Sequence, residues 1–241
     1  MSTIVPPDLE TSSVRYARRF SGTAGAYLLA IQDRGLRDLV QAAPADLRSA
    51  LDVGGGHGQL VDALLAMGME TTVHGSAPDC AQQLMRHPAV GKITYKTGNL
   101  LALPFGDGAF DLVTAIRLLA HIGDVDRLID ELCRVSAFSV IVDYPTLVGA
   151  NAFAVASFPL KRFIEKDTRT YRSFWPRRIE RAFLRNGFVP GQAFKQFTAP
   201  MGLHRLGGAP VQMMEEGLRK IGVTSLIGNP VLQRFDRSSL S

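Results

Sequence analysis

The stretch Leu51-Asp52-Val53-Gly54-Gly55-Gly56-His57-Gly58-Gln59-Leu60 decides the fold of this chain. A short apolar run ending in an acidic residue precedes alternating glycines, and a helical pattern follows them, which predicts a strand, a turn and a helix. In a parallel sheet, such turns lie at the ligand-binding edge, where glycine lets the backbone approach a ligand closely. Neither the GxGxxG fingerprint nor a Gly-Lys-Ser/Thr phosphate loop is present. The pattern D-x-G-x-G-x-G therefore predicts a nucleotide-type ligand.

Strands and helices alternate on both sides of this loop. Strands are predicted at 50–53, 71–74, 92–97, 110–115 and 139–144, and helices at 59–67, 78–85 and 124–135. Two helices broken by Gly22 and Gly25 are predicted within 13–42, and a helix at 176–186 and a strand at 192–197 follow a lapse after Tyr144. This alternation predicts an α/β fold with a doubly wound, mostly parallel sheet. We expect an N-terminal helical cap at 1–47 and a main domain at 48–241 with a late insertion at about 147–175.

Composition supports a globular protein with a full-sized core. The chain has 241 residues, of which 46% are hydrophobic and 20% charged, and this excludes collagen-like, coiled-coil and strongly disordered classes. Its two cysteines, Cys80 and Cys133, encode neither a disulfide framework nor a zinc cluster, so we expect no metal and a reducing compartment. The N-terminus lacks a secretory pattern and the longest uncharged run, 144–160, is too short to span a bilayer. The expected location is cytoplasmic.

Several further segments carry a family resemblance. The glycine loop resembles motif I of class I S-adenosylmethionine-dependent methyltransferases, and LPFGDGAFDLV at 103–113 resembles their LPFxDxSFDLV signature. HIGD at 121–124 and the Glu131, Arg134 and Val135 positions are similar to the HxxD and ExxRV patterns of the type 11 subgroup, which contains ubiquinone and menaquinone methyltransferases. The resemblance covers about 48–144. It implies a Rossmann-like fold, an enzyme and S-adenosylmethionine as the cofactor.

The resemblance also implies roles for individual residues. Asp52 would hold the ammonium group of the cofactor's methionine, and Asn99 would accept a hydrogen bond from the adenine amino group while the Leu100 amide meets a ring nitrogen. Ile116 and Arg117 would flank the sulfonium and the substrate entrance. The glycines that would admit the methionine and ribose are Gly54, Gly55, Gly56 and Gly58.

One departure from the family pattern affects the ribose. The family usually has Asp or Glu at the end of the second strand to bind both ribose hydroxyls, but this chain has Gly75 followed by Ser76. Ser76 or the backbone near Gly75 is the expected substitute, and Gly75→Asp should tighten cofactor binding if the backbone there avoids positive φ. Asn99 replaces the commoner Asp but keeps an acceptor oxygen.

The sequence gives fewer indications of the residues that would act on the methyl acceptor. Methyl transfer from a sulfonium mainly requires alignment and a dry pocket, and an oxygen or carbon acceptor that must lose a proton needs a general base as well. His121 is the predicted base because it follows the fourth strand on the ligand side, with His204 as a second candidate. Aromatic residues interleaved with basic ones in the insertion favour a lid over an apolar, small organic acceptor.

The uneven distribution of charge along the chain is also consistent with other classes of binding partner. Residues 1–143 hold 12 Lys/Arg against 16 Asp/Glu, whereas 144–241 hold 15 against 6, so the two parts carry −4 and +9. The basic part could contact an anionic substrate, RNA or, peripherally, a membrane surface. The alternatives to a small-molecule methyltransferase are therefore an RNA or protein methyltransferase and a non-catalytic nucleotide-binding module. The sequence predicts neither the acceptor atom nor the oligomeric state.

Overall fold

The computed structural model describes residues 8–9, 12–13, 17, 20–148 and 172–238. Most of the predicted insertion at about 147–175 lies outside the described residues, as does much of the first predicted N-terminal helix. The fold around the glycine loop lies entirely within them.

Seven strands form one sheet in the described part of the chain, in the order β3-β2-β1-β4-β5-β7-β6. The strands from β3 to β5 pair in parallel, whereas β7 runs antiparallel between β5 and β6. This topology confirms the predicted doubly wound, mostly parallel sheet. The strands are β1 Ser49–Val53, β2 Glu70–Gly75, β3 Ile93–Thr97, β4 Phe110–Ala115, β5 Ser136–Tyr144, β6 Phe188–Phe197 and β7 Asn229–Arg237.

Helices flank the sheet on both faces. The α-helices that lie within the described residues are α1 Gly22–Gln41, α2 Val61–Ala66, α3 Val125–Val135, α4 Pro176–Arg185, α5 Met201–Lys220 and α6 Val223–Ile227. One face of the sheet packs against α3 and α4, where Phe183 and Phe235 stack with ring centroids 3.8 Å apart. On the other face, Leu36 and Leu39 of α1 join a second apolar cluster with residues of β4, β5 and β7. Burial of these apolar faces is the main force that holds the helices to the sheet.

The predicted helix at 78–85 is wrong in type. The segment forms two short 3₁₀ helices, Pro78–Ala81 and Leu84–Arg86. In a continuous α-helix the Leu84 amide would donate to the carbonyl of Cys80, four residues back. It donates instead to the carbonyl of Gly56, at 3.2 Å, so the segment is tied to the glycine loop.

The predicted break at Gly25 is also wrong, because α1 runs through it. A Cβ at Gly25 would lie 2.1 Å from the carbonyl carbon of Phe20, so glycine is needed there for close packing. Gly22, by contrast, has φ +71° and begins the helix, which confirms the break predicted at that position.

The C-terminal strand β7 was not predicted. Its sequence, NPVLQRFDR, contains charged residues, so it lacks the continuous apolar pattern that would predict a buried strand. Arg234 is buried, and its guanidinium donates to Asp236 at 3.0 Å and to the Leu39 carbonyl of α1 at 2.6 Å. Buried charges are tolerated when they are paired in this way.

Glu131 and Arg134 of the ExxRV pattern form hydrogen bonds with the backbone of residues 103–105, which precede β4. The buried carboxylate of Glu131 accepts from the Leu103 amide at 2.7 Å and from the Arg134 guanidinium at 2.7 Å. Arg134 also donates to the carbonyls of Leu103 and Phe105. The Arg134 hydrogen bonds, reinforced by the Leu103 amide, lower the pKa of Glu131 despite its burial.

Glu131→Gln should therefore destabilise the protein by about 1–3 kcal/mol near neutral pH, because a charge-assisted network is lost. Since the pKa of Glu131 is lower in the folded state, its contribution is present above the unfolded-state pKa and is lost as the pH falls through the folded-state value. Denaturant unfolding at pH 7 and pH 4 measures this effect. Glu70→Gln, at an exposed site, is the control, and equal unfolding free energies for the two variants would contradict the prediction.

Candidate functional site

The glycine loop begins directly after β1 and turns back through two residues with positive φ. Gly54 has φ +78° and its amide donates to the His74 carbonyl at 2.8 Å. Gly58 has φ +68° and its amide donates to the Gly55 carbonyl at 2.8 Å. Only glycine adopts such φ values without strain, so both residues are required by the backbone of the turn.

The two glycines between them are required by close approach. A Cβ at Gly55 would lie 1.9 Å from Oδ2 of Asp52, and a Cβ at Gly56 would lie 2.1 Å from the Cys80 carbonyl oxygen. The backbone of the loop therefore packs against the Asp52 carboxylate on one side and against the segment after β2 on the other.

Asp52 places a buried carboxylate beneath the loop. Its Oδ1 accepts from the Thr114 hydroxyl at 2.9 Å, whereas its Oδ2 is buried with no hydrogen-bond partner. Burial raises the pKa of Asp52 to about 7, and the Thr114 hydrogen bond offsets only part of that shift. A buried acceptor without a partner is rare and costly. A cationic group such as an ammonium would satisfy it.

Ile116 and Arg117 follow β4 on the same edge of the sheet. Arg117 has φ +60°, and its amide donates to Oδ1 of Asp143 at 2.5 Å. The Arg117 guanidinium donates to the side-chain oxygens of Gln59 and Gln32, and it lies 3.7 Å from the centre of the Phe20 ring. Arg117 therefore closes the mouth of the site rather than pointing into solvent.

Residues of the glycine loop, of α1 and of the segment after β4 line a partly open pocket of about 30 Å³. That volume holds about one water molecule, so a ligand of nucleotide size requires the covering side chains to move. Gln32 of α1 lies in the cavity wall and was not predicted, because nothing in the pattern around it distinguishes it from other helix residues. The lining residues are Gln32, Asp52, Gly54, Gly55, His57, Gln59, Leu60, Ile116 and Arg117.

Asn99 and Leu100 lie in the loop after β3. Asn99 is exposed, and its Oδ1 accepts from the Leu101 amide at 2.9 Å. Since a carboxamide oxygen has two lone pairs, it keeps the capacity to accept a second hydrogen bond. Leu100 is buried. Neither residue lines the small cavity.

The end of β2 shows why Gly75 is glycine. Its φ is not among the positive values, but a Cβ would lie 2.3 Å from the Tyr95 hydroxyl and 3.0 Å from Cβ of Cys80. A side chain at position 75 would therefore require the Tyr95 hydroxyl to move, and the effect of Gly75→Asp on binding stays a prediction. The Ser76 amide donates to Oδ2 of Asp8, at 2.6 Å.

The two histidines considered as bases differ in position. His121 is half-buried in the turn after β4, and its amide donates to the Leu118 carbonyl at 3.0 Å. It does not line the cavity. His204 is fully buried in α5, where it stacks on Tyr27 and lies 3.5 Å from the carboxylate of Glu215. The buried position of His204 fits a packing role.

The described residues contain neither a candidate metal site nor a candidate membrane-spanning helix. Among 8–9, 12–13, 17, 20–148 and 172–238, no group of three or more His, Cys, Asp or Glu is placed to hold a metal ion. In the same part of the chain, no helix has the length and apolar character to cross a bilayer.

Comparison with known proteins shows which domain this site belongs to. Residues 51–137 match the family model described as a methyltransferase domain. The matched residues make up 87 of the 241 residues in the chain. The match begins at β1 and includes the glycine loop, so it confirms the resemblance predicted from the sequence. The cofactor of such a domain is S-adenosylmethionine, in agreement with the ligand class predicted from the loop.

Curated relatives of the methyltransferase domain match only parts of their own length. Demethylmenaquinone methyltransferase of Roseiflexus castenholzii is 29% identical over 153 residues, which cover 56% of this chain and 60% of that protein. Norajmaline N-methyltransferase of Rauvolfia serpentina is 37% identical over 59 residues, 24% of this chain and 20% of that protein. The chain thus spans less than two thirds of each of these relatives.

Solved structures share the fold over most of the chain. Magnesium protoporphyrin IX methyltransferase from Synechocystis PCC 6803, with bound S-adenosylhomocysteine, has a TM-score of 0.62 at 14% identity and 93% coverage of both chains. Geranyl diphosphate C-methyltransferase from Streptomyces coelicolor A3(2) has a TM-score of 0.58 at 18% identity, covering 87% of this chain and 77% of that one. At these identities the likeness supports the Rossmann-like fold alone.

Proposed function

We propose that this protein transfers a methyl group from S-adenosylmethionine to a small, apolar organic acceptor at an oxygen, carbon or nitrogen atom. The observation that carries the proposal is the buried Asp52 carboxylate, whose Oδ2 lacks a hydrogen-bond partner beneath a glycine loop. The cofactor's ammonium group is a cation that would supply that partner. When bound, the cofactor supplies an already activated methyl group on its sulfonium, so the protein's task is alignment and exclusion of water.

The other residues have proposed roles around this anchor. Gly54, Gly55, Gly56 and Gly58 bring the backbone close to the methionine and ribose of the cofactor. Ile116 and Arg117 would flank the reacting end, where the hydrogen bonds of Arg117 to Gln32 and Gln59 must give way to admit the acceptor. Asn99 and Leu100 would contact the adenine.

His121 remains our proposal for a general base, for acceptors that must lose a proton. It follows β4 on the ligand side, and the side chain of nearby Leu118 would lie 3.4 Å from a Cβ at Gly54. A base acts on the acceptor, so its role is separable from cofactor affinity. An imidazole suits the role of a general base because the unperturbed pKa of histidine is close to neutral.

A small-molecule acceptor is favoured by the kinds of relatives found. Their names include norajmaline and ajmaline N-methyltransferases and, among proteins of the same fold, magnesium protoporphyrin IX methyltransferase and geranyl diphosphate C-methyltransferase. The test is an unbiased mass-spectrometric comparison of metabolites in cells with and without the protein. The expected result is a metabolite heavier by one CH₂ group only where the protein is present, together with binding of S-adenosylmethionine in calorimetry. Binding without any methylated product would favour the non-catalytic module.

The RNA alternative is supported by the basic surface of α4. Arg177 and Arg181 are exposed there beside Trp175, which is 59% exposed. Arg178 and Arg185, however, pair with Asp126 at 3.1 and 3.0 Å, which compensates part of the charge. RNA affinity that falls steeply with salt and weakens in an Arg177→Ala, Arg181→Ala variant would favour the RNA methyltransferase.

Asn99→Leu should raise the dissociation constant of S-adenosylhomocysteine about tenfold, because it leaves the adenine amino group without its acceptor. Asn99→Asp, which keeps an acceptor oxygen for both the Leu101 amide and the adenine, is the matched control and should change affinity little. Calorimetry measures both, and thermal unfolding reports any effect of losing the Leu101 hydrogen bond. Equal affinities for the Leu and Asp variants would show that the adenine is held elsewhere.

A further inference from the structure

We infer that the outward face of α5 and α6 docks on the surface of an anionic membrane. Between positions 202 and 227 the exposed residues are mostly apolar, and the charged ones among them are two cations, Arg205 and Lys220. A contiguous exposed apolar patch larger than a few hundred Å² marks a contact with a protein or a membrane. The α5–α6 patch consists of Leu203, Leu206, Met213, Met214, Ile221 and Leu226.

The acidic side chains of α5 are directed away from this patch. Glu215 is fully buried and accepts from the Thr198 amide, at the end of β6, at 2.9 Å. Glu216 is half-buried, accepts from the Tyr27 hydroxyl of α1 at 3.1 Å and lies 3.7 Å from the Arg34 guanidinium. A helix at a protein surface in water normally presents its polar face outward. Because α5 presents large apolar residues there, its outward face suits an apolar medium.

The side chains of the patch protrude from the protein. Leu206 is 89% exposed, Met213 is 75% exposed, and Ile221 and Leu226 are 73% and 74% exposed. After the kink at Gly208, positions 213, 214 and 217 follow helical spacing and are all exposed, so they share one face. Side chains that stand this far out can enter a soft medium such as the boundary between headgroups and acyl chains.

The charge around the patch is complementary to an anionic surface. Arg205 precedes Leu206, and Lys220 lies at the other end of α5. A third cation, Lys195, donates from its Nζ to the Leu226 carbonyl at 2.5 Å. Protruding apolar residues flanked by cations are typical of segments that bind anionic lipids, because the cations meet the headgroups while the apolar side chains enter the bilayer. The patch therefore matches an anionic bilayer in both its apolar surface and its charge.

The patch lies near the ligand-binding edge of the sheet. Both β5 and β6 run antiparallel to β7, so β6 ends at the same edge as β1 and β4. From that edge α5 begins at Met201 and packs on α1, whose Gln32 lies in the pocket wall. A bilayer dissolves apolar molecules, so docking would bring the proposed active site close to a source of apolar acceptors. The docking itself does not depend on the proposed activity.

The experiment measures binding of the protein to vesicles by co-sedimentation. Vesicles of equal parts phosphatidylglycerol and phosphatidylcholine are compared with vesicles of phosphatidylcholine alone. We expect at least about tenfold tighter binding to the anionic vesicles, and a loss of about tenfold or more in the variant Leu206→Ser, Met213→Ser. The matched control, Leu184→Ser, Met85→Ser, changes a leucine and a methionine that are 50% and 51% exposed elsewhere. This control should alter the affinity by less than about twofold.

A charge reversal tests the electrostatic part of the docking. Lys220→Glu should weaken binding to the anionic vesicles about tenfold, because a cation that faces the headgroups becomes an anion. Lys92→Glu makes the same change at an exposed position of the 3₁₀ helix Val90–Lys92, outside the patch. It should leave the affinity nearly unchanged. Equal affinities for the two variants would overturn the inference.

Other results overturn the inference in different ways. If the wild type binds neither kind of vesicle, the patch does not dock on a membrane. If the patch variant binds anionic vesicles as tightly as its matched control does, another surface makes the contact. If analytical ultracentrifugation shows a dimeric wild type and a monomeric patch variant, the patch joins two copies of the chain.

Two precautions keep the test decisive. Circular dichroism shows whether each variant is folded, and Ile221→Ser, Leu226→Ser, at two other exposed positions of the patch, replaces the first variant if that one is unfolded. No vesicle measurement uses S-adenosylhomocysteine. Failure of the docking would therefore leave the proposed function standing, and failure of cofactor binding would leave the docking standing.

Discussion

Gly56→Val should abolish measurable binding of S-adenosylhomocysteine, with a loss of about a hundredfold or more in affinity. A Cβ at this position would lie 2.1 Å from the Cys80 carbonyl oxygen and 2.4 Å from the Ser12 hydroxyl. Valine would therefore push the loop away from the segment after β2 and into the space of the ligand. Overpacking of this kind costs about 1–3 kcal/mol even where no ligand is blocked, so we also expect a lower melting temperature.

The matched control for this variant is Gly106→Val. Gly106 is an exposed glycine without positive φ, and a Cβ there would meet no atom within 4 Å. Calorimetry below the melting temperature of both variants separates lost binding from lost folding. If Gly56→Val binds S-adenosylhomocysteine as tightly as Gly106→Val does, the loop is not the cofactor site.

Asp52→Asn should weaken cofactor binding about a hundredfold or more and, at the same time, stabilise the ligand-free protein. The loss of affinity follows because the cofactor's ammonium group would lose a buried, charged partner. The gain in stability follows from the pKa of Asp52, which burial raises from 3.8 to about 7. The unfolded carboxyl ionises near pH 4, whereas the folded one ionises only near pH 7, so unfolding between these values releases a proton.

The stability difference should therefore depend on pH in a defined direction. Near pH 4 the folded wild type is protonated at Asp52 and the unfolded chain is only about half ionised there, so the variant and the wild type should differ little in stability. As the pH rises the wild type loses stability relative to the variant, and above pH 7 the difference should level off at about 2–4 kcal/mol. Unfolding free energies from pH 4 to pH 8 measure it. A variant that is less stable than the wild type at pH 8 would show that Asp52 serves the fold rather than a ligand.

The parts of the site that follow one another along the chain could be predicted from the sequence. The strand β1, the glycine turn, Asp52 and the residues after β4 were all predicted in their places. Gly54 and Gly58 need positive φ, and such a need belongs to the local backbone, so it leaves a direct trace in the residue type. The family resemblance rests on the same local patterns, and for this reason it covers the region from β1 to β5.

Errors arose where distant contacts override local preference. The segment 78–85 has a helical pattern, yet the hydrogen bond from Leu84 to Gly56 divides it into 3₁₀ turns. The strand β7 carries Arg234 and Asp236, which suggest an exposed loop until their pairing with each other and with α1 is known. The residue pattern of either segment contains nothing about the partner that decides its structure.

By itself, the sequence predicted the doubly wound sheet, the glycine loop after β1 and the acidic Asp52 at the start of that loop, because residues adjacent in the chain mark each of them. Only the tertiary structure decided what surrounds them. It brought Gln32 of α1 and Asp143 of β5 to Arg117, filled the space beside Gly75 with Tyr95, and placed Asp8 on the Ser76 amide, 68 positions away. These contacts join residues far apart in the sequence, so no local residue pattern marks them, and it is the packing of apolar faces onto the sheet that brings distant elements together.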